Sequence, residues 1–303
     1  MTTLRAAHPR IIIVGGGFLG RLIHSVLPSA RVFDWRKEAP TVSSRMLGPQ
    51  YLWEPLQGFS PDEHEEFNVT TLVDGRTATD ERVARYKARV GKELDGGDWR
   101  AQFSRRMRGY SVTLPPDRVE YDQKIKCIDG HTRTLLMAGG RQEHYDYLLS
   151  TIPLYAFLRL MRHGAYDAMA NTLRYRPIFF HTSELPWWKA QHPSMWNNGM
   201  RVNYISNPKV PWYRETWREG KCFRESLDRN AFGVEGFGVV PGKIYPNEHT
   251  ETSIASLEIF DIFMFGRFAR WRTDELAHES YRAVRTWAMS RHISVYESRG
   301  GVM

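Results

Sequence analysis

Six residues, Gly15-Gly16-Gly17-Phe18-Leu19-Gly20, carry the first chemistry that can be read from this chain. They fit the spacing G-x-G-x-x-G and follow directly on the apolar run Ile11 to Val14. Each glycine answers a separate demand. Gly15 permits a tight turn from strand into helix. Gly17 lets a pyrophosphate reach the backbone at the helix N-terminus, and Gly20 lets the helix pack close on the strand. Asp34 closes a second short apolar run about 20 residues further on, the spacing of a carboxylate that accepts ribose hydroxyls. Together these residues read as a cradle for the ADP half of a dinucleotide, with Phe18, Leu19 and Trp35 beside it. The fingerprint alone does not separate NAD from FAD.

Other side chains could grip what such a cofactor acts on. Tyr51 and Trp53 are two apart, so on an extended chain they face the same way and could wall a flat slot. Tyr204, Trp212, Tyr213 and Trp271 are further aromatic candidates. Aromatic residues make up 13% of the chain, a surplus that suits a ring-binding pocket as well as a core. Arg214 and Arg267 offer planar guanidinium groups for bidentate contact with phosphate or carboxylate. His181 reads either as a proton acceptor or as a buried, hydrogen-bonded histidine. No paired Cys or His spacing suggests a metal, and the acidic stretch around His64 reads as a solvated loop.

Elements must hold these residues in place. Residues 10–34 read as strand, glycine turn, helix, strand, and residues 35–58 as a loop layer punctuated by Gly and Pro. A helix is expected from Asp80 to Leu94, with Arg82, Arg85, Arg89 and Lys92 on one face. From 82 to 108 there are nine Lys/Arg against three Asp/Glu. That excess is either a solvated face or a surface that tracks phosphates. Short strands are expected over 110–152, a helix over 154–174, strands over 176–245, and an amphipathic helix over 274–291.

The bulk numbers bound the answer. The chain has 303 residues, of which 42% are hydrophobic and 25% charged, ordinary for a globular protein. A formal charge of +8 favours a polyanionic partner, a nucleotide or nucleic acid, over a neutral one. The N-terminus is polar and no apolar run is long enough to span a membrane. Two cysteines make no disulfide framework, so a cytoplasmic location is expected.

Several segments resemble one superfamily of flavoproteins: protoporphyrinogen oxidase, amine oxidase and UDP-galactopyranose mutase. EHYDYLLSTIPLYAFLRLM (143–161) resembles the stretch in which a strand returns to the FAD domain and ends in a Thr-Ile-Pro turn, here at Thr151. KIKCI, with Ile125, stands where those proteins lay backbone against the adenine. NPKVPWYRETWREGKCF (207–223) resembles the mutase run whose arginine lies near flavin and substrate phosphate, which carries over to Arg214. GKIYPN (242–247) resembles a following Tyr-Pro segment, and FMFGRFARW (263–271) the C-terminal Gly-Arg motif that closes over the flavin, at Gly266 and Arg267. LGPQYLW (47–53) resembles the Gly-Pro-His segment lining the flavin ring, with Gln50 in the place of the histidine. The mutase motif continues with a tyrosine and an aspartate where this chain has Thr273 and Glu275, and its uridine segment has no counterpart here.

The resemblance implies FAD and an α/β fold. That fold would be a Rossmann-like FAD-binding domain with an interleaved β-sheet substrate layer and a small helical insertion. The FAD-binding part would take 1–58, 116–153 and 260–303, and the substrate region 59–115 and 154–259. It implies oxidation or cleavage of a C–N bond on an amine or amino-acid group of an anionic, nucleotide-linked substrate. Catalytic candidates are Arg214, Tyr51, Trp53 and Trp271. DNA is admitted as substrate, since some phages use FAD enzymes to trim amino acids on thymine. The alternatives are a mutase-like isomerase using reduced FAD and a non-catalytic flavin- or nucleic-acid-binding module.

Overall fold

In the computed structural model the described residues are 8–38, 51–59, 63–90, 107–112, 114, 118–184, 199–233 and 238–296. Gln50, Lys92, Arg100, Arg105 and Arg106 lie outside them.

Strand β1 (Ile11–Val14) is buried at every position, as a strand covered on both faces must be. It is the middle of a five-stranded sheet, flanked by β2 (Arg31–Phe33) and by β9 (Tyr147–Ser150), all parallel. β15 (Ile262–Met264) and β5 (Val119–Glu120) form the two edges, also parallel. Parallel neighbours need long crossovers. The first is helix α1 (Phe18–Val26). The step from β5 to β9 is a three-stranded antiparallel layer, β6 (Ile125–Asp129), β7 (Thr134–Met137) and β8 (Gln142–His144).

The other two crossovers are large excursions that build a second sheet. The excursion between β2 and β5 supplies β3 (His64–Val73), α2 (Asp80–Arg89) and β4 (Met107–Val112). The excursion between β9 and β15 supplies β10 (Arg174–Glu184), β11 (Gly199–Tyr204), β12 (Arg214–Arg218), β13 (Lys221–Ser226) and β14 (Gly238–Tyr245). These seven strands lie in the order β14-β10-β13-β12-β11-β3-β4. The parallel pairing of β3 with β11 joins the two excursions. The expected combination of a Rossmann-like parallel sheet, an interleaved β layer and a small helical insertion is what the chain adopts.

Period-2 alternation divides the core. Ile12 and Val14 join Leu148, Ile262 and Met264 on one face of the parallel sheet. Ile11 and Ile13 join Leu22, Ile23 and Val26 of α1 on the other. The tail forms α6 (Ala277–Ser290), which lays Tyr281, Val284 and Trp287 against that second face. The helix expected over 154–174 is two helices, α3 (Leu154–Leu158) and α4 (Gly164–Thr172). It breaks because Ile128 of β6 takes the backbone of the intervening turn: Ile128 N–H donates to Leu160 O at 2.6 Å, and Arg162 N–H to Ile128 O at 2.9 Å. A helix the periodicity did not suggest, α5 (Glu248–Glu258), starts at an Asn247 capping box. Helices α3, α4 and α5 contribute Phe157, Tyr166 and Leu257 to the core under the parallel sheet. They therefore cover the first layer, although the sequence places 154–259 with the substrate region.

Helix α1 approaches the end of β1 backbone to backbone. A Cβ on Gly20 would sit 1.7 Å from the carbonyl oxygen of Gly15, a backbone atom. Gly20→Ala is expected to destabilise the protein by about 2 kcal/mol or more. Urea denaturation checks this.

Candidate active site

The cradle is a glycine turn held from three sides. Gly15 has φ +108, and its N–H donates to Phe33 O at 2.9 Å. From β9, the Thr151 hydroxyl donates to Val14 O at 3.3 Å and Gly15 O at 3.1 Å. A Cβ on Gly15 would lie 2.5 Å from that hydroxyl. Gly17 is different. It begins α1 as N-cap at φ −68, with no side-chain cap, and beyond its chain neighbours no atom of the described residues lies within 4 Å of where its Cβ would be. Nothing in the packing of the described residues requires glycine there. The uncapped first turn carries a partial positive charge and unsatisfied N–H groups. The space beside Gly17 therefore fits an anionic group brought close to the backbone.

Asp34 is buried at the end of β2 and is already occupied. Its Oδ2 accepts from Gly16 N–H at 2.7 Å and from Arg36 Nη2 at 2.5 Å. Its Oδ1 accepts from Arg36 N–H and Nε, both at 2.9 Å. Those bonds raise the pKa of Arg36 against the opposing effect of burial. A carboxylate offers about four lone-pair sites, so a ribose hydroxyl reaches Asp34 only where Arg36 gives way. Trp35 points outward, 62% exposed. The chain before β6 lies along this corner, with Gln123 N–H on Asp34 O at 2.8 Å. Ile125 itself packs toward the core.

The C-terminal turn closes on the same helix. Gly266 has φ +99, and a Cβ there would be 2.3 Å from Leu19 of α1. Its N–H donates to Glu275 Oε1 at 3.0 Å, which also accepts from the Ser280 hydroxyl at 2.6 Å. The next residue, Arg267, reaches across to the second sheet, its Nη2 donating to Gly242 O of β14 at 3.3 Å. Its Nε is buried without a hydrogen-bond partner among the described residues. Burial, followed by repulsion from Arg214, lowers its pKa.

Arg214 sits on the facing sheet in a row fixed by register. Tyr204, Arg214, Glu225 and Phe180 are successive cross-strand partners on β11, β12, β13 and β10, so they share one face. Arg214 pairs with Glu225, which also accepts from the Tyr213 hydroxyl at 2.7 Å. Burial works against the Arg214 charge, but attraction to Glu225 wins and its pKa is raised. The guanidinium is deep in the fold, yet 34% of the side chain stays accessible, as at the wall of a cleft. Tyr86 of α2 packs on Tyr204, ring centroids 4.9 Å apart. Tyr51 and Trp53 do face one way: their rings meet edge to face at 4.9 Å and pack with Phe67, Val69 and Met200. Leu52 between them turns into the opposite core. Burial raises the Tyr51 pKa, with Arg214 partly offsetting it.

Tyr51, Trp53, Tyr204, Tyr213 and Arg214 therefore come together, and Arg267 feels Arg214 electrostatically. Other candidates do not join them. Trp271 is fully buried, edge-on to Tyr155 and Tyr175. It is a core residue with no surface to offer a substrate, which corrects its catalytic reading. Trp212 stacks under Arg224. His181 is the cross-strand partner of Arg224 rather than Glu225, so it faces away from the cleft. Arginines of α2 are spent locally: Arg82 on Thr77 O, Arg85 on Glu81, Arg89 on Ile205 O and Val210 O. Among the described residues no cluster of His, Cys, Asp or Glu is arranged to hold a metal, and no helix is long and apolar enough to cross a membrane. Sequence reasoning missed Arg36, Tyr86 and Glu225.

No protein-family model and no curated protein sequence matches the chain. Solved structures do. The chain is similar to reduced UDP-galactopyranose mutase, at 13% identity over 95% of this chain and 94% of that one, with a TM-score of 0.59. It is also similar to a cofactor-binding redesign of putrescine oxidase, at 9% identity over 94% and 99%, TM-score 0.52. A third is a CLA-producing fatty acid isomerase from P. acnes, at 10% identity over 93% and 98%, TM-score 0.51. The chain has the fold of these enzymes.

Glu225 is the partner on which the Arg214 charge depends. Glu225→Ala is expected to cost about 2 kcal/mol of stability, part of the burial penalty being relieved by solvent in the cleft. Glu225→Gln, which keeps a hydrogen-bonding group, is expected to cost less. Urea denaturation of the two variants side by side measures both.

Proposed function

We propose that the chain is an FAD-dependent flavoenzyme acting on an anionic substrate. The observation that carries this reading is the open space at Gly17. The turn around it is locked by contacts at Gly15 and Gly20, while among the described residues no atom beyond the chain neighbours comes within 4 Å of a Cβ at Gly17. A pyrophosphate fills that role, and the Gly266 turn packed on Leu19 leads from it toward the aromatic and cationic cleft. The fold shared with mutase and oxidase structures supports FAD over NAD.

When bound, FAD supplies two-electron redox chemistry, and the protein supplies placement, electrostatics and exclusion of side reactions. Gly15, Gly17, Phe18, Leu19 and Gly20 would hold the pyrophosphate half. Thr151, Gly266 and Arg267 would bound its path to the cleft. Arg214 and Arg267 set against Glu225 leave one net positive charge for a substrate phosphate or carboxylate. Tyr51 and Trp53 would wall the slot in which the reacting group lies. We assign the reaction to oxidation or cleavage of a C–N bond on an amine or amino-acid group, with nucleotide-linked substrates favoured by the overall charge. A mutase-like isomerisation on reduced flavin is the second reading, favoured by the arginine pair. Glu275 weighs against it, because it is a buried clamp on Gly266 rather than a group presented to substrate, and Thr273 is exposed.

Visible absorption of the purified protein decides the cofactor: maxima near ~375 and ~450 nm with releasable FAD are expected, whereas a colourless protein that takes up no FAD would end this reading. Gly17→Val is expected to fold, since its Cβ meets no atom of the described residues within 4 Å, and to retain less than about a tenth of the flavin. Full flavin in that variant would move the pyrophosphate elsewhere. Arg214→Ala should keep its flavin and lose at least about tenfold in kcat/KM, for oxidation assayed by peroxide release with amine substrates. Turnover of a UDP-sugar only after dithionite reduction would select the isomerase instead.

A further inference from the structure

The arginines of α2 are consumed by neighbouring carbonyls and Glu81, but those at the free end of β10 and β14 are not. Arg174 and Arg176 are exposed, and among the described residues neither meets a carboxylate. Register places Arg174 opposite Tyr245, and alternation puts Arg176 on that same face. Tyr245 is 53% exposed. Tyr175 turns to the other face and stays 38% exposed. There it stacks on Tyr155, centroids 5.1 Å apart and planes 17° from parallel. Trp271 braces both rings edge-on at 5.9 Å, which gives the buried tryptophan a use. Leu173, Arg174, Tyr175 and Tyr245 line one open groove.

We propose that this groove is a docking surface for single-stranded nucleic acid. The exposed Tyr245 ring is a stacking platform, Arg174 opposite it and Arg176 on the same face can take phosphates, and the braced Tyr175 adds a second ring at the strand end. The protein as a whole carries a charge of +8, which draws the same partner. A second copy of the chain fits poorly, because a self-complementary contact would set Arg174 and Arg176 near their own images. A lipid surface fits poorly as well, because the one aliphatic residue among the described lining, Leu173, is buried. Duplex DNA offers phosphates but keeps its bases stacked, so it would use the arginines and not the tyrosines. The groove adjoins the cleft: Arg267 is hydrogen-bonded to Gly242 of β14, the strand that ends in Tyr245. A strand lying in the groove would pass beside the mouth of the proposed site. Docking itself does not rest on the flavin reading.

Fluorescence anisotropy with a fluorescein-labelled oligothymidylate of ~15 nucleotides and the full-length protein tests this directly. Two arginine–phosphate contacts predict binding that weakens about sevenfold between ~50 and ~200 mM salt, from a slope near −0.7 per contact. The double variant Arg174→Glu, Arg176→Glu should bind at least about tenfold more weakly and lose that salt slope. Tyr245→Ala should lose about fivefold or more, while Tyr245→Phe, which keeps the ring, should bind as the parent does. Flavin content and circular dichroism report that these surface variants stay folded. No binding by the parent protein at ~50 mM salt overturns the proposal. So does equal binding by all variants, or tighter binding of a duplex of the same length. Self-association of the parent that the arginine variants abolish would assign the groove to a second copy and overturn it too.

Discussion

Everything in this fold hangs on how closely α1 approaches β1. The carbonyl of Gly15 and the α-carbon of Gly20 leave no room for a methyl group between them. That contact fixes the axis of α1, and with it the direction in which its uncapped N-terminus points. Thr151 ties the same turn to β9 through its hydroxyl, and Gly266 brings the C-terminal turn down onto Leu19. Three segments distant in sequence thus meet around the N-terminus of α1. The positive end of a helix is effective only within its first turn, so small displacements here would weaken the hold on an anion.

The cleft is governed by a different economy of charge. A buried arginine without a carboxylate is costly, and a single carboxylate satisfies one arginine well. Glu225 serves Arg214, with the Tyr213 hydroxyl filling its second oxygen. Among the described residues Arg267 gets a backbone carbonyl and no carboxylate, and burial with repulsion from Arg214 lowers its pKa. Two guanidinium Nε–H groups are left buried with no acceptor, one on each arginine. For stability alone such an arrangement is poor. It becomes favourable once an anion supplies the missing acceptors, because unsatisfied buried donors cost more than a paired one contributes.

Much of this was legible in the sequence, and the failures have physical causes. The glycine spacing and the alternation of Ile11 to Val14 are local signals, and both specify the cradle. Tyr51 and Trp53 share a face because extended backbone alternates, whatever surrounds it. Glu225 was within reach: Glu219 and Gly220 both have positive φ, the mark of a two-residue hairpin turn, and counting outward from them pairs residue 214 with 225. The saturation of Asp34 by Arg36 was not legible, since ribose-binding spacing says nothing about a competing cation two residues later. Neither was the break between α3 and α4, which comes from β6, a strand some 30 residues away. Trp271 misled because an aromatic residue beside a Gly-Arg turn looks the same in sequence whether it faces the cofactor or the core.

The two excursions from the parallel sheet explain how one scaffold can serve unlike chemistries. The cradle lies at the ends of β1, β2 and β9, inside the parallel layer, where any shift disturbs two cores at once. The face that carries Arg214 lies on β10–β13, in a sheet that meets the parallel layer through the Arg267–Gly242 hydrogen bond and through packed side chains such as Ile244, Tyr175 and Tyr110. Its face-up residues can change in type without moving α1. This is why a shared fold at 13% identity or less fixes the architecture and leaves the substrate to side chains such as Arg214 and Tyr204. The second sheet is also where the unpaired arginines and exposed tyrosines gather. Selection for a larger substrate would act there first, on strands whose outer ends are free, and the cradle would stay as it is.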